Sequence, residues 1–450
     1  MRKNGKAALC LAIVLILSLV LFGCGSSSKE NADISGSPNS SGSGGGGEIT
    51  VWIQKYSEDP GIMTELMDDL TKKFKAETGI TAKYELVDWG QALTKYTLAS
   101  TGGDAPDVAD LFFLQSFVKI GGEKFGPLQI NDVAKDIGVD KFIPASLSDV
   151  KVGDDFYAIP WGFDTRVMVY NTDHFAEAGI KEPPTTWDEL LADAKRLTKT
   201  DAAGNITRSG MIWGVDSGRF DQTWATVLAQ AGGKMFDDAY SKATFDSPEG
   251  MESLQFMQDS VYKYKVTTKN VIDPSYDSYN DFLSGKASIM LGATSVLKSM
   301  QKELAPQMEG KYQASVLPSK SGQGPSSIHS AQMVSVMKSS KNIEAAKKWI
   351  KFFTSKEAQL EVSKKLAMLN SNLEVMADPY FTDDPWLSAF VEQSKRTTLL
   401  DQPIPSWSQI SAFPSGPIGR MTTNIMAGRS VKDEVQTAFK SVQTILASNK

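Results

Sequence analysis

The sequence predicts an α/β chain folded as two lobes, each a β-sheet flanked by helices. Three observations point there. A chain of 450 residues exceeds what one hydrophobic core holds, since cores stop growing near ~250–300 residues. Between Glu48 and Phe113 strand and helix patterns alternate, which calls for a parallel sheet covered by helices. Around Asp154 to Asn171 the alternation becomes irregular, and the chain is expected to cross there to a second lobe.

The N-terminus precedes the globule. Arg2, Lys3 and Lys6 open it, the apolar run Ala7 to Phe22 follows, and the small Gly23 stands before Cys24. These are the parts of a secretion signal, with an uncleaved membrane anchor as the alternative. LFGC (Leu21 to Cys24) resembles a bacterial lipobox. The resemblance implies that 1–23 is a signal peptide and that Cys24 becomes the first mature residue, lipidated on sulfur. A diacyl group plus an acyl amide (palmitate-type chains) would hold it stably at a membrane, since two chains anchor where one does not. Residues 24–47, rich in Gly and Ser, read as a flexible tether spanning roughly 25 Å.

EITVWI (Glu48 to Ile53) is β-branched and aromatic, so it predicts the first strand. Asp59 and Pro60 look like the N-cap and first residue of a helix, Ile62, Leu66, Leu70 and Phe74 recur along its buried side, and Gly79 closes it. ITAKYELV alternates as a strand. A helix from Asp88 to Gly102 and Gly103 follows, and PDVADLFF supplies a third strand. Ligands of such sheets bind beyond the carboxyl ends of the strands. Trp52, Gln54 and Tyr56 are therefore candidates after the first strand, and Asp110, Phe113 and Gln115 after the third.

DDFYAIPWGFDTRVMVYN reads as a short strand, an irregular Pro160 to Phe163 turn and a second apolar strand. Thr186 and Glu189 have capping-box spacing ahead of Leu190, Leu191, Ala194 and Leu197. Ser247 and Pro248 start another helix, FLSGKASIML is a helix end turning into a strand, and NIEAAKKWIKFF is helical by the spacing of Ile343, Ala346, Ile350 and Phe353. No internal repeat is visible. The N-terminal lobe is expected at 48–160 with return segments around 290–340, and the C-terminal lobe at 161–289 with helical segments from 341–450.

Composition excludes several classes. The net charge is −6, and removing residues 1–24 takes it to −9, which argues against a nucleic-acid partner. Cys10 and Cys24 are the only cysteines, so no disulfide or zinc cluster can form downstream. His174 and His329 lack companions at metal spacing, and no GxSxG, HExxH or Gly-rich phosphate loop occurs. No cofactor or metal is implied. The GGGG at 44–47 precedes a strand instead of opening a helix, so it reads as linker.

TGGDAPDVADL, YAIPWGFDTRVMVYNTDHFAEAGIKEPPTTWDEL, FLSGKASIML and SSKNIEAAKKWIKFFTSKEAQ, in this order, resemble the extracellular solute-binding protein family 1, the carbohydrate-binding lipoproteins of ABC importers. The resemblance covers the chain from Ile49 onward. It implies a two-lobe periplasmic-binding-protein-like fold with several crossovers, a ligand held in the interlobe cleft, and no chemistry on that ligand. It also implies that Asp164 faces a sugar and that RFDQTW reaches into the cleft with Asp221, Gln222 and Trp224. IHSAQMVSV departs from the glycines common at that place in the family, so His329 and Gln332 receive no assigned contact.

The residues bear on a sugar independently. A pyranose offers C–H faces to aromatic rings and hydroxyls to amides and charged groups. Of the nine tryptophans, Trp187 and Trp349 sit in helical patterns and Trp213 in a strand, so they read as core, while Trp386 has no assigned place. Trp52, Trp89, Trp161, Trp224 and Trp407 fall at strand ends, turns or helix starts, where core and ligand roles are both open. Asp164 and Arg166 can together bond vicinal hydroxyls, or can form a plain interlobe ion pair. Asn370 and Asn372 contribute to the site or cap helices.

The expectation is a monomeric sugar-binding lipoprotein on the outer face of the cytoplasmic membrane, anchored by its lipid. It would serve an ABC transporter permease. Its ligand-binding set would be Trp52, Gln54, Asp110, Phe113, Trp161, Asp164, Arg166, Asp221, Gln222, Trp224 and Trp407. The alternatives are the same fold binding a polyamine, a metal such as iron or a glycerol phosphate, and a surface-anchored carbohydrate-active enzyme with paired carboxylates.

Overall fold

The computed structural model describes residues 47–57, 59–102, 104–215 and 219–448. The signal segment 1–23, Cys24 and the tether as far as residue 46 lie outside the described residues, as does Gly103.

The strands are β1 (Glu48–Gln54), β2 (Thr81–Val87), β3 (Val108–Leu111), β4 (Lys151–Val152), β5 (Asp155–Phe156), β6 (Ile159–Thr165), β7 (Val167–Asn171), β8 (Lys199–Thr200), β9 (Ile206–Trp213), β10 (Ala287–Ala293), β11 (Tyr312–Ser315), β12 (Ser327–Val336), β13 (Leu369–Asn370) and β14 (Thr397–Leu399). They form two large sheets. The first is seven-stranded in the order β13-β6-β12-β3-β1-β2, with β14 beside β12; the second is five-stranded in the order β11-β7-β10-β9-β8. β1 runs parallel to β2 and β3, as the alternating pattern requires. β12 is the returning strand, antiparallel to β3 and β6.

Local chemistry sets the ends of the elements. Asp59 caps the Pro60–Thr78 helix by accepting from the Gly61 N–H at 2.8 Å, and Gly79 ends it at φ 73°, a left-handed angle that glycine reaches without Cβ strain. Thr186 and Glu189 form the reciprocal capping box of the Trp187–Leu197 helix. Ser247 caps Pro248–Tyr262.

The cores follow the sheets. Ile49, Val51 and Ile53 of β1 pack with Leu66, Leu70 and Phe74 of the first helix and with Trp349, Ile350 and Phe353. Trp213, Ile289 and Leu291 of the second sheet pack with Trp224, Leu228, Leu254, Ile425 and Val435. Each such side chain contributes about 1.5–3 kcal/mol on burial. A third cluster draws Phe163 and Leu369 from the first sheet and Val167, Val169, Ile212 and Met290 from the second. Among the described residues no helix is long and apolar enough to cross a membrane.

The segment read as an irregular Pro160 to Phe163 turn is instead strand, the middle of β6. The pairing with β12 shifts there, Gln332 facing Gly162 and Met333 facing Pro160, so Trp161 is the extra residue of a bulge in β6. Such a bulge is how a strand accommodates a proline that cannot donate to the ladder. Gly162 serves by its size, because a Cβ there would come within 2.5 Å of Gln332 Oε1.

The chain passes between the sheets three times, and the passages lie side by side. β6 leads to β7 through Arg166 alone. β11 leads to β12 through residues 316–326. After β14 the chain enters the Trp407–Ile410, Pro417–Met426 and Val431–Ser448 helices, whose apolar residues join the second sheet's core. In register, His329 of β12 pairs with Thr165 of β6, and Ser327 of β12 with Thr397 of β14. Ser327 Oγ accepts from Arg166 N–H at 3.2 Å and donates to Arg166 O at 2.8 Å. Thr165 Oγ1 donates to Ile328 O at 2.7 Å.

Candidate functional site

Parallel strands β9 and β10 end at Trp213 and Ala293, and a cavity of about 840 Å³ opens beyond them. Two glycines at the strand ends, Gly214 and Gly292, line it. A Cβ on Gly214 would lie 2.8 Å from Gly292 O and 2.9 Å from Leu291 O, and Gly292 sits at φ +99°. Gln222, Thr223, Thr226 and Gln230 line it from the Phe220–Gln230 helix; Tyr276 and Thr294 line it from loops, and Tyr279 from the short Ser278–Leu283 helix that precedes β10.

Arg166, the single residue of the first passage, also lines this cavity. Its guanidinium donates to Asp164 Oδ2 at 2.5 Å and to Gln222 Oε1 at 3.2 Å. Gln222 therefore turns its amide nitrogen elsewhere, where it can donate to a hydroxyl. Tyr279 OH lies 3.0 Å from Thr294 Oγ1. Arg219 holds Asp221 through two nitrogens, at 2.8 and 3.3 Å, and covers the Phe413 ring at 5.4 Å.

The first sheet ends in a buried polar node with an aromatic shelf outside it. Asp110 accepts from the Gln54 N–H at 3.2 Å, Tyr56 OH at 2.7 Å and Trp161 Nε1 at 3.0 Å. Burial pushes the Asp110 carboxyl up to about 7, against the pull of those three donors. Burial and the neighbouring Asp110 raise the Tyr56 phenol well above its ordinary value, and Asp164 adds to this. Burial also raises Tyr279, with Asp164 adding and Arg166 opposing. Asp164 is thus within electrostatic reach of a tyrosine from each sheet. Outside the node, Trp89 is 48% exposed, edge-on to Tyr56 at 5.5 Å and tilted against Phe112 at 5.8 Å.

The structure brings Arg166 and Gln222 together on the cavity, with Asp164 bonded to Arg166, and gathers Gln54, Asp110 and Trp161 in the buried node instead. Trp161, Trp224 and Trp407 are 1%, 0% and 3% exposed. Each indole N–H is satisfied inside, by Asp110, by Ser253 and by Asp401. These three rings belong to the cores, because a large ring with a local partner for its N–H gains most from full burial. Gln54 and Asp110 are likewise interior. Asp221 is buried under Arg219, and Trp52 is half-buried against Tyr96 with Lys95 Nζ 4.1 Å over its ring. Phe113, at φ 50°, packs half-buried against Phe112 and the second core. Gln115 donates to Lys151 O, Asn370 to Gln359, and Asn372 caps the Leu373–Met376 helix. His329 is interior, its Nδ1 2.9 Å from Thr397 Oγ1 and its ring stacked on Phe163.

Arg219, Tyr279, Thr294 and Phe413 went unread in the sequence. The strand-end rule that selected Gln54 and Asp110 would have found Gly214 and Gly292 to Thr294 had it been applied to β9 and β10 as well. Phe413 carries no such signal.

A family model for the bacterial extracellular solute-binding protein matches residues 58–360. A binding protein of Brucella abortus is 26% identical over 383 residues, 82% of this chain and 87% of that protein. The diacetylchitobiose-binding protein DasA of Streptomyces coelicolor is 33% identical over 167 residues, 37% of each chain. An ABC transporter solute-binding protein of Thermotoga lettingae, solved with α-D-tagatose, superposes with a TM-score of 0.73 at 25% identity, covering 89% of this chain and 99% of that one.

The buried node yields a pH signature. Because Asp110 rises from an ordinary 3.8 to about 7, the folded chain holds a proton in that window which the unfolded chain has released. This group's contribution to stability is therefore greatest at the acid end and falls as pH rises through the window. Urea unfolding should show Asp110→Asn gaining on the parent protein from about pH 4 to about pH 7. A pH-independent difference between the two would contradict the buried, proton-holding carboxyl.

Proposed function

Because the chain belongs to the bacterial extracellular solute-binding protein family, we propose that it is the sugar-binding lipoprotein of an ABC importer, capturing a neutral oligosaccharide between its lobes and presenting it to a membrane permease. One lobe is built on the seven-stranded sheet and the other on the five-stranded sheet. The observation that carries this reading is the placement of Arg166. It is the sole residue of one passage between the sheets, it lines the 840 Å³ cavity, and it is bonded to Asp164 on one side and Gln222 on the other.

The paired guanidiniums argue against an anionic ligand. Arg166 is matched by Asp164 and Arg219 by Asp221, whereas a phosphate would call for surplus donors. Of the two further acids on the cavity, Asp277 is engaged in capping a helix through the Asn280 N–H and Glu303 is exposed, fewer carboxylates than a polyamine would call for. The volume stands toward the upper end of the ~300–1,000 Å³ usual for ligand sites, which suits several sugar rings. The relatives bound to diacetylchitobiose and to tagatose are in keeping with a carbohydrate. No step of bond breaking is assigned to the chain; it binds, and a partner ATPase supplies the energy of transport. It acts as a monomer held at the outer face of the membrane by lipid on Cys24.

Two experiments test this. Calorimetry against a panel of neutral oligosaccharides, glycerol 3-phosphate and spermidine should find its tightest ligand among the sugars. Gln222→Ala should weaken that sugar about tenfold, the cost of leaving one partner unbonded. A charged solute binding more tightly than any sugar would overturn the neutral-sugar reading. Separately, Cys24→Ser should release the protein from membranes, and sedimentation at the parent level through high salt would remove the lipid anchor from the account.

A further inference from the structure

The cavity has a second wall of different chemistry. Val296, Met300 and Leu304 recur every four residues along the Leu297–Leu304 helix and its N-cap, so they share one side of it, and all three line the cavity. Val296 is 46% and Leu304 59% exposed. Of the helix's polar groups, Lys298 bonds Asp384 and Gln301 donates to Ala305 O at 3.1 Å, while Glu303, exposed, also lines the cavity. Large apolar side chains aligned on a cavity wall mark a surface that a ligand covers. A sugar hydroxyl set against them would lose its bonds to water and gain none. Gly214 and Gly292 line the same cavity as both walls, so one ligand can touch both.

We propose that the ligand is an oligosaccharide bearing an apolar acyl, alkyl or aryl group, which lies against Val296, Met300 and Leu304 while ring hydroxyls reach Arg166 and Gln222. This rests on reading the cavity as a sugar site. Every neutral oligosaccharide that binds the parent protein would be compared by calorimetry with its own 4-nitrophenyl glycoside, in the parent, Val296→Ser and Leu304→Ser. Thermal unfolding would show each variant folded. The glycoside should bind about tenfold tighter, the size of one large apolar contact, with a more negative heat-capacity change. Each variant should lower that ratio toward one.

A ratio of one in the parent, or a ratio untouched by both variants, overturns the apolar subsite while leaving sugar binding intact. If the ligand-free variants differ from the parent in radius of gyration, the stripe packs against the protein's own other lobe and the proposal also falls. Failure of every sugar to bind removes the sugar reading and this subsite together.

Discussion

Three passages between two sheets, bonded side by side, are the constraint on which the rest of the structure depends. β6, β12 and β14 are neighbours where they leave the first sheet, with Thr165 opposite His329 and Ser327 opposite Thr397. Ser327 ties the first passage to the second through both backbone groups of Arg166. Ser330, opposite Asp164 in the register, donates to Asp401 on the third passage, and Asp401 accepts from Trp407. A hinge of this kind rotates about one line and resists shear, because displacing one strand would break bonds to the next.

The same geometry places the groups proposed for binding. Residues at the ends of the crossing strands belong to both sheets, so Asp164 influences tyrosines from each and Arg166 reaches a helix of the second. The first sheet carries an aromatic group of Trp89, Tyr56 and Phe112 at its end, and the cavity on the second carries amides, hydroxyls and a paired guanidinium. A ligand that touches both stabilises the closed arrangement by its differential contacts, and only by those. The buried Asp110 node keeps the shelf in place, since it joins β1, β3 and β6 through Gln54, Tyr56 and Trp161.

Much of the fold was legible because its signals are local. Asp59 with Pro60, Thr186 with Glu189 and Gly79 mark helix ends through bonds made within a few residues. The alternation of strand and helix from Glu48 to Phe113 needs no distant partner to be recognised. What was not legible depends on distant partners. Trp161 and Trp224 look in sequence like any exposed tryptophan; what buries them is Asp110 and Ser253, far along the chain. Pro160 reads as a turn until β12 supplies the partner strand against which β6 bulges at Trp161. Asp164, Arg166 and Gln222 were singled out through the family resemblance and the chemistry of paired hydroxyls, and the cavity that Arg166 and Gln222 line needed the second sheet to be seen.

The central claim, that a ligand closes two lobes about this hinge, is tested most directly by solution scattering with and without a saturating oligosaccharide chosen by calorimetry. The account predicts a smaller radius of gyration in the loaded protein, since a ligand that contacts both lobes favours closure. An unchanged scattering curve at proven saturation would contradict it and leave a rigid binding module.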